Sequence, residues 1–301
     1  MSIPAAYAAV VIVWSTTPLG IVWSGETVPP VMAALLRMAI AAFIGFIIIK
    51  WREIPLPWNK QALHVYSCSV LGVFGAMLCT YLAAKTISSG LISVVFGLSP
   101  LISGLLAQRI LGDATFTKMR WFATLIAVTG LAVVCMNDLA VKGDDWGGLV
   151  LILMAVTFFS MSAVLVKRSS VNLHPFATTV GALLLSLPLY TISMLLLDTP
   201  VAVSEWGVKS LMSITYLAIF GSLVGFVSYF YVLQNLSPST VALVTLITPV
   251  FAILLGAVFN NEVVGWPLVI GASCIVSGLV IYYWGDLLLS KLRYNAPPRR
   301  S

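Results

Sequence analysis

The chain has 301 residues, of which 60% are hydrophobic and 9% are charged, and its mean hydropathy is +1.05. Soluble globular proteins carry roughly 25% charged residues, so this composition excludes an ordinary soluble domain and predicts an all-α membrane protein. The net charge of +6 does not indicate a nucleic-acid partner, because most basic residues fall at predicted helix ends, where they contact the headgroups of the lipid bilayer.

Apolar runs of about 20 residues, the length that crosses a bilayer, recur along the whole chain. The first half predicts helices over 3–23, 31–50, 62–83, 89–111 and 119–138. The second half predicts helices over 146–167, 175–197, 210–233, 238–259 and 264–286. We therefore expect ten transmembrane helices in two five-helix repeats, residues 1–138 and 146–290, joined by a linker over 139–145 and followed by a short basic cytoplasmic tail over 291–301.

Lysine and arginine are distributed unevenly between the predicted loops. With the N-terminus inside, twelve lie on the inner side, whereas the outer loops hold only Lys85, Lys142 and Lys209. The positive-inside rule then places both termini in the cytoplasm of a multi-pass protein of the inner (plasma) membrane. Because five is odd, the second repeat enters the membrane the opposite way round. Such inverted repeats are typical of carriers that work by alternating access.

Several features recur in the two halves at one separation of 149 residues. The pairs are Ser88 with Ser237, Pro100 with Pro249, Asp113 with Glu262, Gly72 with Gly221, and Ala76 with Gly225. The small-residue pairs on the third and eighth spans predict close helix packing. The two carboxylates end their helices, where the helix dipole disfavours them. We expect them to cap the following helix or to pair with nearby basic groups, rather than to carry protons.

The first span reads Val13-Trp14-Ser15-Thr16-Thr17-Pro18, and the fourth and ninth spans share a small-residue start, a central proline and a terminal carboxylate. In these motifs the chain resembles the EamA family of the drug/metabolite transporter superfamily. The resemblance covers essentially the whole chain and implies ten helices, two EamA repeats, and export or exchange of small metabolites. Ser15 and Asp113 depart from the Gly and Glu that the family usually has, and the substrate stays open.

The polar stretch of the first span supplies the first candidate site residues, Trp14, Ser15 and Thr17. Trp14 lies about 11 residues into its span, too deep for an interfacial belt. Its indole ring would give the substrate a flat wall and an N–H donor. Alternatively, the ring packs between helices and its N–H donates a hydrogen bond within the protein. The corresponding second-half stretch supplies Phe159 and Ser162. We expect the substrate cavity between the first, third, fourth, sixth, eighth and ninth spans.

The central prolines, Pro100 and Pro249, are candidate hinges or kinks, because each removes a backbone hydrogen-bond donor from its helix. In lipid, the carbonyl left without a partner must be satisfied by a hydroxyl, another helix or a water-lined cavity. Ser99 and Thr248 directly precede the prolines and are candidates for that role and for substrate binding. Two interpretations of these proline regions stay open: they kink the helices for packing, or they line the substrate path.

Aromatic and cationic residues complete the predicted substrate-binding set. Tyr81 and Lys85 are one helical turn apart, so they share a face, and Tyr229 lies among their second-half counterparts. Arg37 lies about 10 Å deep in its span at 1.5 Å per residue. Lys85 or Arg37 would hold an anionic group, although either long side chain can also reach the headgroups by snorkelling.

The sequence contains no motif for catalysis, a cofactor or a metal. No Asp or Glu falls in the middle of a predicted span, and HExxH, GxSxG and Walker motifs do not occur. We therefore predict a non-enzymatic secondary carrier, monomer or homodimer, that moves a small-molecule substrate, an amino acid or related amphipathic solute, in the direction of export. The alternatives are a flippase for lipids or lipid-linked sugars and a non-transporting membrane scaffold or sensor.

Overall fold

A computed structural model describes residues 2–112, 117–142, 146–197, 203–241 and 244–294. These ranges are helical and contain no β-strand. Seven of their helices are long and apolar enough to cross a membrane, and two further apolar helical stretches, Thr248–Asn260 and Trp266–Tyr282, are shorter. The predicted all-α membrane class is confirmed, whereas the count of ten spans stays a prediction.

The first half contains α1 (Ile3–Ser24), α2 (Pro30–Trp51), α3 (Lys60–Ala83), α4 (Ser89–Leu111) and α5 (Lys118–Lys142). Local sequence explains how several of these helices begin and end. The side chains of Ser2, Asn59 and Ser88 accept hydrogen bonds from backbone N–H groups in the first turns of α1, α3 and α4, as N-cap residues do. Gly112 follows α4 with φ of 72°, the left-handed conformation that commonly ends a helix.

The second half contains α6 (Trp146–Arg168), α7 (Pro175–Leu197), α8 (Val208–Asn235), α9 (Val244–Asn260) and α10 (Trp266–Tyr294). A single helical turn, Pro238–Val241, precedes α9. Most helix ends lie within a few residues of the prediction. The exceptions are α5, which extends into the predicted linker to Lys142, α9, which begins at Val244 rather than at 238, and α10, which extends into the predicted tail. The apolar residues 139–141 contain no helix breaker, so α5 continues through them; residues 143–145 and Asp113 lie outside the described ranges.

Two of the helices contain π-helical segments, Leu71–Ala76 in α3 and Leu217–Val224 in α8. Shifting the first segment by 149 residues makes it overlap the second. Segments of this kind are frequent at functional sites. Each therefore marks the middle of its span as a place where the regular hydrogen-bond ladder is altered.

Helix α4 is interrupted rather than kinked at its proline. It consists of Ser89–Phe96 and Ser99–Leu111, with Gly97 and Leu98 between them. Pro100 therefore lies in the first turn of the second segment, where a missing N–H costs little. A Cβ on Gly97 would lie 2.8 Å from the carbonyl oxygen of Val94, so the close approach requires glycine. Pro249, by contrast, lies inside a continuous α9.

The main helix contacts join the two halves of the chain. Helix α1 packs on α8 and α9, α2 packs on α7 and α8, and α6 packs on α3 and α4. Helices α5 and α10 pack mainly on each other, and a Cβ on Gly130 of α5 would lie 2.6 Å from the Cβ of Cys274 on α10. The two halves therefore interdigitate around a shared interior.

Candidate functional site

A cavity with an empty volume of about 570 Å³ lies inside the bundle. It is enclosed by α1, α3, α4, α6, α8 and α9, the helices expected to line the path, and α2 adds one side chain. Most of the wall is apolar. The lining residues are Trp14, Thr17, Pro18, Ile21, Arg37, Met77, Thr80, Ile92, Ser93, Phe96, Phe159, Gly221, Phe226, Thr245 and Thr248.

Arg37 supplies the only charged side chain of this lining, as far as the described residues show, and it is 1% exposed. Its Nε donates a hydrogen bond to the hydroxyl of Ser222 at 2.7 Å. Its Nη1 is buried and has no hydrogen-bond partner in the described part of the chain. A Cβ on Gly221 would lie 3.0 Å from Nη2, so the small residue makes room for the guanidinium. The cavity thus contains a positioned cation that keeps unused donors.

Three predicted aromatic residues form one cluster at the cavity wall. The ring centroids of Trp14, Phe159 and Tyr229 lie 5.2–5.4 Å apart in all three pairs, a range typical of favourable aromatic contacts. The hydroxyl of Tyr229 is buried without a partner among the described residues. A Cβ on Gly225 would lie 3.0 Å from Nε1 of Trp14. The small-residue face predicted on the eighth span therefore accommodates both Arg37 and Trp14.

The threonine hydroxyls of the wall are partly committed to the backbone. Thr17 donates to the carbonyl of Val13 at 2.9 Å, and Thr80 donates to the carbonyl of Ala76 at 2.7 Å. The protons of these two hydroxyls are therefore engaged by the backbone. The guanidinium of Arg37 is the strongest donor there, because it is charged.

The predicted residues divide into two groups. Trp14, Thr17, Arg37, Phe159 and Thr248 line the cavity, and Tyr229 packs directly behind it. The remaining predicted residues do not line it; they are Ser15, Tyr81, Lys85, Ser99, Pro100, Ser162 and Pro249.

Specific contacts account for several of these non-lining residues. Ser15 donates to the carbonyl of Val11 at 2.7 Å, and Ser162 donates to the carbonyl of Cys68 at 2.8 Å. The hydroxyl of Ser99 lies 3.4 Å from that of Thr245, which joins α4 to α9. Tyr81 is buried, whereas Lys85 is exposed. Of the two cations considered, only Arg37 faces the cavity.

Sequence reasoning did not single out several lining residues, among them Thr80, Ser93, Phe96 and Phe226. Ser93 and Phe96 are three residues apart and therefore share a helix face. Both residues lie shortly before Pro100, and this position is a sequence signal that indicates a lining role. The sequence does not show that Thr80, rather than its neighbour Tyr81, lines the cavity. Composition does not determine how an apolar helix is rotated about its own axis.

Glu262 lies away from the cavity and caps a helix of the other half. Its Oε1 accepts hydrogen bonds from the backbone N–H of Ser89 at 3.1 Å and from the Ser89 hydroxyl at 2.7 Å. Its Oε2 accepts from the N–H of Gly90 at 3.3 Å. The expected cap of the following helix is therefore wrong: the carboxylate occupies the N-terminus of α4, where the helix dipole favours negative charge.

Comparison with known proteins gives a consistent set of relatives. The EamA-like transporter family matches residues 2–136 and again residues 146–284. The chain is 25% identical over 293 residues to the uncharacterized inner membrane transporter YedA of Escherichia coli K12, covering 97% of this chain and 94% of YedA. It is 26% identical to an uncharacterized transporter of Archaeoglobus fulgidus, covering 91% and 96% of the two chains.

A third relative is the protein PecM of Dickeya dadantii, which is 28% identical over 293 residues, covering 95% of this chain and 93% of PecM. One protein crystal structure superposes with a TM-score of 0.71 at 19% sequence identity, covering 97% of this chain and 99% of that one. This likeness shows the fold alone.

Proposed function

The chain belongs to the EamA-like transporter family, and on that premise we propose that it is a secondary carrier of the inner membrane for a small organic solute with an anionic group. An amino acid or a related carboxylate fits this description. The direction that we propose is export.

The observation that carries this proposal is the buried guanidinium of Arg37. An intramembrane charge without a countercharge is costly, and no carboxylate of the described residues pairs with Arg37. A carboxylate or phosphate of the solute would provide the countercharge and accept hydrogen bonds from the planar guanidinium. Ser222 accepts a hydrogen bond from Nε of this group, and Gly221 leaves room for it.

The apolar remainder of the cavity fits the other end of such a solute. Trp14, Phe159 and Phe226 contribute aromatic surfaces to the lining that contains Arg37. Binding sites for small molecules are typically mostly apolar with a few polar groups, and this lining has that composition. The lining therefore favours an amphipathic molecule over a fully polar one.

We further propose ten spans in two inverted five-helix repeats, residues 1–138 and 146–290, with both termini cytoplasmic and alternating access as the mechanism. Three features support the repeat: the 149-residue offset, the overlap of the two π-helical segments after that shift, and the glycines on α3 and α8. In both halves these features lie on spans that line the cavity.

Transport by purified protein in proteoliposomes tests the proposal. A panel of amino acids and small carboxylates is screened by counterflow, and each transported solute is compared with its uncharged amide. We expect Arg37→Met to weaken the apparent affinity about 10- to 100-fold, since a hydrogen bond to a charged group contributes about 1.5–3 kcal/mol. Lys85→Gln, the matched control, should transport as the wild type does.

Two results would contradict the proposal. Equal transport of the amide and the carboxylate would remove the anionic group from the recognition. Movement of a labelled phospholipid across the bilayer, without counterflow of any soluble solute, would favour the flippase.

A further inference from the structure

A second cavity, with an empty volume of about 590 Å³, lies between α3, α6, α7 and α8 and the connection over 169–174. Half of its lining residues are polar, unlike those of the first cavity. These polar residues are Lys167, Ser170, Asn172, Thr178 and Gln234. No carboxylate belongs to this lining within the ranges that the structure describes.

Lys167 provides a positioned cation in the second cavity. Its Nζ donates hydrogen bonds to the carbonyl oxygens of Leu233 and Gln234, at 3.0 and 2.9 Å. These carbonyls belong to the last turn of α8, where a cation interacts favourably with the helix dipole. An ammonium has three N–H donors, so one remains for a ligand.

Thr178, which lines the same cavity as Lys167, has an unsatisfied hydroxyl in the described part of the chain. The residue is 2% exposed, and its Oγ1 has no hydrogen-bond partner among the described residues. The nearby carbonyl of His174 instead accepts from the backbone N–H of Thr178 at 3.0 Å. Buried polar groups are normally paired, and an acceptor inside the cavity would pair with this one.

The aromatic cluster separates the two cavities. Phe230 lines the second cavity and packs on Tyr229 at 5.3 Å between ring centroids. Tyr229 in turn packs on Trp14 and Phe159, which line the first. In the predicted topology, the second cavity lies at the cytoplasmic end of this row of rings.

We propose that the second cavity is an oxyanion site, in which a carboxylate or phosphate group accepts hydrogen bonds from the ammonium of Lys167 and the hydroxyl of Thr178. Two sources have this chemistry: a soluble anion at the cytoplasmic entrance and the headgroup of an anionic phospholipid. The inference does not depend on Arg37, because it uses a different cation and a different cavity.

The test places a reporter thiol in this cavity by the substitution Ser170→Cys. Its rates of reaction with an anionic and a cationic methanethiosulfonate are measured by intact mass, with the wild type as the control for native thiols. We expect inorganic phosphate to slow the labelling more than chloride does at equal ionic strength. Lys167→Gln should abolish that protection and lower the anionic-to-cationic rate ratio several-fold.

Two further variants separate binding from folding. Thr178→Val removes a hydroxyl that no described residue pairs with, so it should preserve the melting temperature and weaken phosphate protection. Arg168→Gln removes an exposed cation that does not line the cavity, and it should leave protection unchanged. The proposal would be overturned if neither phosphate nor an anionic phospholipid slowed the labelling more than chloride does, or if Thr178→Val and Lys167→Gln retained full protection.

Lipid composition identifies the source of the anion. Labelling is repeated in nanodiscs of phosphatidylcholine with and without phosphatidylglycerol. Slower labelling with phosphatidylglycerol identifies a headgroup, whereas protection by phosphate alone identifies a soluble anion; either result supports an oxyanion site. Arg37→Met should retain the protection, so a failure of the carrier proposal is distinguishable from a failure of this one.

Discussion

Arg37 donates a hydrogen bond from Nε to the hydroxyl of Ser222 at 2.7 Å. The two residues belong to different halves of the chain, on α2 and on the π-helical segment of α8. The contact fixes the guanidinium through one nitrogen, and Nη1 has no hydrogen-bond partner among the described residues. The cation of the candidate site is therefore oriented by the half to which it does not belong.

Removing this contact should impair both stability and binding. Ser222→Ala leaves a buried charged donor without its partner, which costs about 1–3 kcal/mol. We expect a lower melting temperature and a several-fold weaker affinity for the anionic solute. Thr215→Ala is the control, because its exposed hydroxyl donates only to the carbonyl of Leu211; equal losses in both variants would contradict the orienting role.

A methyl group on Gly221 should displace the guanidinium. The added Cβ would lie 3.0 Å from Nη2 of Arg37 and 3.2 Å from Cδ2 of Leu217, and overpacking of this kind costs about 1–3 kcal/mol. We expect Gly221→Ala to fold and to bind the anionic solute several-fold more weakly in equilibrium titrations. Gly25→Ala, whose nearest contacts would be at 3.7 Å, should bind normally.

The cap formed by Glu262 should stabilise the fold without serving the cavity. Glu262→Ala removes acceptors from the N-terminus of α4, and loss of an N-terminal cap typically costs about 0.5–2 kcal/mol. Ser89→Ala should be non-additive with it in a thermal double-mutant cycle, because both changes break the same hydrogen bond.

The control for this cap is Glu26→Ala. Glu26 forms an exposed salt bridge with Lys209, and such pairs contribute about 0–1 kcal/mol. Additive effects of the Glu262 and Ser89 changes, or an equal loss in Glu26→Ala, would show that the carboxylate does not fasten α4.

The hydroxyl of Tyr229 predicts a tolerated substitution. Tyr229→Phe removes a buried polar group that has no partner within the ranges the structure describes, so the melting temperature should stay the same or rise. Tyr216→Phe should lower it, because the Tyr216 hydroxyl lies 2.6 Å from that of Thr16. If Tyr229→Phe is instead the more damaging of the two, its hydroxyl has a partner that this arrangement does not contain.

The positions of the helices follow largely from the sequence. Apolar runs bounded by Pro, Gly, Asn and Ser predicted helix ends within a few residues, since the bilayer dictates the length of an apolar run. The sequence also predicts the aromatic residues Trp14, Phe159 and Tyr229: Trp14 lies too deep for an interfacial belt, and the other two belong to the second-half counterparts of first-half candidates. Neither signal indicates which side chains meet.

The break in α4 and the partner of Glu262 were beyond such reasoning. A proline predicts a disturbed helix, but it does not predict that the interruption falls at Gly97, where Ile275 of α10 would lie 3.1 Å from a Cβ. Likewise, the carboxylate of Glu262 finds Ser89, which is 173 residues away in sequence. Local sequence patterns do not predict a contact between residues so far apart along the chain.

The sequence by itself determined a helical membrane protein, the approximate bounds of its helices and the features that recur in its two halves at a separation of 149 residues. Hydrophobic length and repetition suffice for these, because the solvent imposes them on each helix separately. Only the tertiary structure decided between the two candidate cations, placing Arg37 in the cavity and Lys85 at the surface. A helix that is apolar on all sides has no preferred rotation of its own, so its packing against neighbours selects the side chains that face inward.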